Sequence, residues 1–238
     1  MNKLIVFVSE EDNYSDRAKK ITNDVLNSEF YFLEKLQIKN LRDIVKNNII
    51  FFLTNSKISK NLMNLIRRKK IDCKILNYNF LSKNYNKLSV QKNLMKNRIT
   101  VPTVYQNNLK FPLYVKSINH SDMIAKVYNF KSLNGIRKNI LKKCYFEQSV
   151  ENNFQKEYKV YFVERKVYFS EELNNVQQKE ILTICNKISK ILNIDVFSSD
   201  IIYNSENYYV IDVNPAPGFW NSQEARIALG RISNDEKK

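Results

Sequence analysis

The stretch Val210-Ile211-Asp212-Val213-Asn214-Pro215-Ala216-Pro217-Gly218-Phe219 decides how the rest of the chain is read. Side chains alternate faces along a strand, so Asp212 and Asn214 point to one side of an otherwise apolar segment, Tyr208 to Val213. The strand expected before it, Ser199 to Tyr203, carries Asp200, and Asn204-Ser-Glu-Asn207 supplies the turn between them. The hairpin is expected to bring Asp200 alongside Asp212 and Asn214. Two carboxylates and an amide oxygen are a hard-oxygen set of the kind Mg²⁺ takes, with phosphate oxygens and water completing the shell. Spacing alone reads equally as a polar edge hairpin with solvated acids. The two prolines and Gly218 that follow describe a stiff turn with a permissive hinge.

Working outward, the chain before this hairpin is β-rich. Cys144 to Val150 reads as a strand, and Glu157 to Val163 followed by Lys166 to Phe169 reads as a hairpin. Ile181, Ile184, Cys185, Ile188, Ile191 and Leu192 recur at helical spacing and predict one amphipathic helix between the two hairpins. Asn221 to Ile232 is expected to be helical, with a frayed charged end at Asn234 to Lys238. Nearer the start, strands are expected at Leu4 to Val8, Phe30 to Phe32, Ile49 to Leu53 and Lys74 to Leu76. They alternate with helices at Asp16 to Leu26 and Ser59 to Lys69, a βαβ pattern that predicts a parallel sheet. No glycine-rich loop follows the first strand, which excludes a Walker or dinucleotide fingerprint there and leaves this unit as substrate or scaffold surface. Residues 87 to 97 read as a helix, Pro102 holds Val101 extended, and Phe111 to Lys116 reads as a strand.

Composition narrows the function classes. The chain has 238 residues, a formal net charge of +15, 43% hydrophobic residues and only three glycines, which excludes disorder and collagen. Three cysteines without CxxC spacing argue against a zinc or disulfide framework and for a reducing compartment; a single histidine, His120, excludes a histidine-rich metal site. No run approaches the ~20 apolar residues of a spanning helix, so a cytoplasmic location and no membrane partner are expected. The charge fits nucleic acid, phosphorylated metabolites or an acidic polypeptide. It also fits a solvated surface rich in residues with AT-rich codons, since Lys, Asn, Ile and Tyr are all abundant.

Asp200 together with Val210 to Phe219 resembles the metal-binding end of the ATP-grasp superfamily, with Asp212 where glutamate is more common. The order of the other segments is similar to that family over roughly residues 78 to 232. Asn86-Lys87-Leu-Ser, then Met95 to Pro102, resembles the lysine before a helix that closes on "Gly-Ile-x-Val-Pro"; Phe111-Pro-Leu-Tyr-Val-Lys116 resembles the "Pro-(apolar)3-Lys" strand. The resemblance implies that Lys87 and Lys116 contact ATP phosphates. It implies that Tyr145 to Val150 forms the linker strand at adenine, with Glu147, Gln148 and Val150 in the cofactor contacts, and that Glu157 binds the ribose. Asp200, Asp212 and Asn214 would hold one or two Mg²⁺ ions, with Mn²⁺ as the alternative, and Arg226 and Lys159 would meet substrate anions.

The fold so implied is α/β (α+β). It has a small Rossmann-like N-terminal domain over residues 1 to 85 and an ATP-grasp domain over 86 to 238, the latter split into subdomains at about 104 to 168 and 169 to 238. The implied activity is an ATP- and Mg²⁺-dependent carboxylate–amine ligase acting through an acyl-phosphate and resembling the ribosomal-protein glutamate ligase group. The substrate would be an anionic small molecule or peptide, with nucleic acid or tRNA as a weaker reading. Two features depart from the ligase pattern: Ser117 to Met123 has no glycine to cover phosphates, and Ser170 to Gln178 is too short and acidic for the usual substrate insertion. Asn119-His-Ser-Asp-Met123 is similar to a loop of inositol-phosphate kinases, so a kinase of such polyols is the rival, and a non-catalytic nucleotide-binding protein the third reading.

Overall fold

Five consecutive apolar residues, Leu4–Val8, form β1, and all five are buried. A strand buried on both faces needs cover on each, which is the signature of a parallel sheet with crossover helices. The computed structural model describes residues 2–11, 14–83, 86–118, 125–150 and 156–235. In it β1 is central. After β1 the chain passes through α1 (Ser15–Asp24), β2 (Ser28–Phe32), α2 (Leu41–Val45), β3 (Ile49–Phe52), α3 (Lys57–Arg68), β4 (Lys74–Ile75) and α4 (Tyr78–Leu81). The sheet order is β2-β1-β3-β4 and every pairing is parallel, with Leu4 opposite Ser28 on one side and Ile49 on the other. This is the arrangement the alternating strands and helices predicted. Ser56 caps α3 through its side chain, so the helix begins two residues before Ser59.

The remaining elements are α5 (Lys87–Lys96), β5 (Val104–Tyr105), β6 (Leu113–Ser117), β7 (Ala125–Val127), α6 (Phe130–Asn134), α7 (Lys138–Leu141), β8 (Cys144–Gln148), β9 (Lys156–Val163), β10 (Lys166–Phe169), α8 (Asn175–Leu192), β11 (Val196–Tyr203), β12 (Tyr208–Asn214) and α9 (Gln223–Asp235). They supply two more four-stranded sheets, β5-β8-β6-β7 and β10-β9-β11-β12. The expected helix with buried Ile181, Cys185, Ile188 and Leu192 is α8, closed at its start by a capping box between Asn174 and Gln177.

Two compact units partition the chain. The first comprises Met1–Asn84, Lys159–Ser198 and Asn214–Lys238; the second comprises Tyr85–Tyr158 and Ser199–Val213. The core of the first unit joins Val6 and Val8 of β1, Ile21 of α1, Phe51 of β3, Tyr161 and Val163 of β9, and Ala225, Leu229 and Ile232 of α9. Asn77 fastens it across long sequence distances. Its amide donates to the carbonyls of Val196 and, at 2.7 Å, Pro215, while its oxygen accepts from the N–H groups of Asp195 at 3.0 Å and Val196 at 3.2 Å. Its backbone is left-handed at φ 56°, a conformation asparagine tolerates better than most residues.

The expected hinge at Gly218 is corrected: no glycine has a positive φ. Close approach is what the position requires, since a Cβ there would lie 2.3 Å from Cδ of Arg17. In the second unit a smaller core, Leu113, Val115, Val127 and Leu133, lies on one face of the β5-β8-β6-β7 sheet.

Candidate functional site

Alternation along β6 and β8 sorts the second unit's sheet into an apolar and a polar face. Leu113 and Val115 belong to the apolar core, so Tyr114 and Lys116 stand on the other face. Tyr114 pairs with Glu147 and Lys116 with Tyr145 in antiparallel register, which puts Tyr114, Lys116, Tyr145 and Glu147 together on that face. Lys116 and Glu147 are both buried there.

Lys116 Nζ donates to Glu147 Oε1 and, at 3.1 Å, to the carbonyl of Ile211 on β12. The other carboxylate oxygen of Glu147 accepts from Gln91 Nε2 at 3.2 Å. Burial pushes the Glu147 carboxyl above its ordinary value, against the opposing pull of Lys116. Burial likewise raises the Tyr145 phenol, with the charges of Glu147 and Asp212 adding to the effect.

A second ion pair adjoins the first. Lys87 Nζ lies 3.3 Å from Asp212 Oδ2, with both side chains partly exposed. Lys87 is the first residue of α5, whose start is fixed by a reciprocal capping box between Asn86 and Ser89. Lys87 and Gln91 sit four residues apart on that helix and therefore share a face. Ser199 Oγ donates to the carbonyl of Asp212 at 2.8 Å, which ties β11 to β12 one residue from Asp200. Lys87, Lys116, Glu147 and Asp212 thus form a set of two cations and two anions within one unit.

The other expected residues are placed as follows. Gln148 ends β8 and its N–H donates to Thr103; Val150 is buried; Glu157 is exposed near the start of β9. Asn214 ends β12 and belongs to the first unit, where its side-chain oxygen accepts from Ala216 N–H at 3.0 Å. Lys159 lies half-buried on β9 in the same unit. Arg226, also in the first unit, is buried and paired: Nε donates to Asp24, and Nη1 to the carbonyls of Phe219 and, at 3.2 Å, Trp220. His120 and most of the Ser117 to Met123 loop lie outside the described residues, as does the end of the tail at 236–238.

Gln91 was not singled out by sequence reading. Its signal was available, four residues after Lys87 on a predicted helix. The pairing of the Glu147 side chain with Lys116 and Gln91 was also missed, because the resemblance placed Glu147 only among the cofactor contacts.

Oxygen chemistry suits a hard cation at the hairpin. Asp200 and Asp212 sit on neighbouring strands, Asp212 and Asn214 are alternate residues of β12, and the donors are carboxylate and amide oxygens. Among the described residues no three His, Cys, Asp or Glu side chains cluster as metal ligands. No described helix is long and apolar enough to cross a membrane.

No protein-family model matches the sequence, and no curated protein matches it. Solved structures do. The D-alanine–D-alanine ligase from Bacillus anthracis superposes with a TM-score of 0.69 at 15% identity, covering 94% of this chain and 89% of that one. Its ATP complex gives 0.70 at 15% identity, covering 99% and 100%. The ATP-grasp ligase PsnB bound to a minimal precursor gives 0.67 at 13% identity, covering 98% and 97%. PsnB has also been solved with that precursor, Mg and ADP. A parallel sheet in the first unit, a separate mixed-face sheet in the second and this end-to-end likeness to two ligases together show that the chain has the ATP-grasp fold.

Proposed function

We propose that the chain is an ATP- and Mg²⁺-dependent carboxylate–amine ligase. The observation that carries this reading is the neutral set in the second unit, where Lys87 and Lys116 are each paired with a carboxylate. A magnesium nucleotide offers both sides a new partner at once. Phosphate oxygens would draw Lys87 from Asp212, which would be left free to meet the cation, while Lys116 would meet phosphate without giving up the buried Glu147, so little charge would be left uncompensated. Asp200, Asp212 and Asn214 would hold Mg²⁺, with Mn²⁺ as the alternative, and the ion would supply charge neutralisation at the phosphates. Glu147, Gln148, Val150 and Glu157 would line the adenosine.

Within this reading the chain's work is positioning and electrostatics rather than covalent catalysis. Lys87 and Lys116 fix the triphosphate while a substrate carboxylate oxygen attacks the γ-phosphorus and ADP leaves. An amine then attacks the acyl carbon of the acyl-phosphate and inorganic phosphate leaves. Arg226 would reach a substrate anion only by leaving Asp24. The basic surface favours an anionic acceptor, and PsnB, solved with a precursor peptide, makes a peptide a reasonable class to try first. The three free cysteines suit the reducing cytoplasm.

Product analysis tests the reading. Incubation with Mg·ATP and pools of amino acids and acidic peptides is expected to release both ADP and phosphate, and Lys116→Met is expected to lower the rate about 10²–10³-fold. Release of ADP with the phosphate retained on an acceptor would instead make it a kinase. Absence of ADP release with every acceptor, alongside tight nucleotide binding, would make it a non-catalytic binder.

A further inference from the structure

The net charge of the chain is not spread evenly. Residues 38–72 carry nine lysines and arginines and only two acids, Asp43 and Asp72, and so account for nearly half of the +15. None of these residues belongs to the nucleotide set, and all lie in the first unit.

Part of this charge converges on a cleft. An open cavity of about 350 Å³ is lined by Ile38, Lys39, Leu41, Arg42, Lys69 and Ile71. That is three aliphatic and three cationic residues, with neither acid of the segment among them. Lys39, Arg42 and Lys69 are exposed and have no ion-pair partner among the described residues. Lys69 follows the last turn of α3, where a cation complements the helix dipole. Lys39 and Arg42 come from a 3-10 turn at Ile38–Asn40 and the short α2, which have no comparable dipole to satisfy. Ile38 is 63% exposed at the rim of the cleft, while Leu41 at 1% exposure provides an apolar floor.

Three unpaired like charges around an aliphatic hollow cost energy when empty and favour an anion that brings apolar surface with it. The volume falls in the range of ligand clefts, about 300–1,000 Å³. Nucleic acid is the weaker fit, because no aromatic side chain lines the cleft to stack a base. We propose that this cleft is a docking site for an acidic peptide segment, in which an aliphatic side chain enters between Ile38, Leu41 and Ile71 while flanking carboxylates meet Lys39, Arg42 and Lys69. The proposal stands apart from the nucleotide reading, since neither requires the other.

Fluorescence anisotropy with two labelled hexapeptides tests it, Glu-Asp-Leu-Leu-Glu-Asp and Glu-Asp-Ser-Ser-Glu-Asp, with a single-stranded oligonucleotide of equal charge as the third probe. The leucine peptide is expected to bind about tenfold more tightly than the serine peptide and the oligonucleotide. The triple variant Lys39→Glu, Arg42→Glu, Lys69→Glu is expected to weaken it by at least about tenfold. Ile38→Asn, a neutral change at an exposed position, should weaken the leucine peptide alone and keeps the test valid if the triple variant fails to fold. Equal binding of the two peptides, tighter binding of the oligonucleotide, or undiminished binding to the folded variants would overturn the proposal.

Discussion

Glu147 is the residue on which the second unit's polar face turns. It receives a hydrogen bond on each oxygen, from Lys116 and from Gln91, and is 1% exposed. Removing the cation leaves a buried carboxylate without its charge partner, so Lys116→Met is expected to destabilise the protein by about 3–5 kcal/mol unless Glu147 takes up a proton. Chemical denaturation at neutral and mildly acidic pH checks this, with the loss smaller at the lower pH. In the intact protein the folded Glu147 carboxyl binds its proton more tightly than the unfolded one. Its contribution is therefore fully present below the ordinary value of 4.5 and is lost as pH rises through the higher folded value. Glu147→Gln is expected to flatten the stability–pH curve upward from that point, as read by melting temperature against pH. Lys116 was legible from its place at the end of an apolar strand. The buried role of Glu147 was not, because Cys144-Tyr-Phe-Glu-Gln148 mixes polar and apolar residues on both faces and only the register with β6 settles which face is which.

Elements with strong periodicity were legible, as were the short β4 and β10, and several other short ones were not. β1, β3 and α8 declare themselves through continuous apolar runs or a helical stripe. By contrast α2, α4, β7, α6 and α7 have three to five residues each, too few for a period to stand out, and their stability comes from what they pack against. Two tests belong at this scale. Gly230 faces α1 so closely that a Cβ would lie 2.3 Å from Cγ1 of the buried Val25. Gly230→Ala is therefore expected to cost about 1–3 kcal/mol in thermal or chemical unfolding, although alanine is the better helix former. Asn86→Ala removes the cap that starts α5 and is expected to cost about 1 kcal/mol. Because Lys87 is the next residue, the same change should weaken nucleotide binding in the proposed function, which calorimetry would register as a raised Kd.

At the scale of the whole molecule, the parallel sheet and the closing hairpin could be read in order along the chain. The return of Lys159–Ser198 and Asn214–Lys238 to pack in one unit with Met1–Asn84 could not, since it rests on contacts between residues far apart in the chain, such as Asn77 with Pro215. Asn77 shows the point: nothing local marks it, yet it satisfies backbone groups of Asp195, Val196 and Pro215. Asn77→Ala would leave those buried groups unpaired and is expected to cost at least about 1–3 kcal/mol. The charge of +15 divides in the same way, with two lysines in the neutral set proposed to hold the nucleotide and three cations around the first unit's cleft. Whether the second unit is a nucleotide clamp is the central claim. Isothermal titration calorimetry with AMPPNP and Mg²⁺ measures it directly, on the native chain and on Asp212→Asn. The expected result is one site with a Kd in the micromolar range, weakened at least about tenfold, or 1.4 kcal/mol, in the variant and without Mg²⁺. No binding to the native chain, or equal binding to the variant, would contradict it.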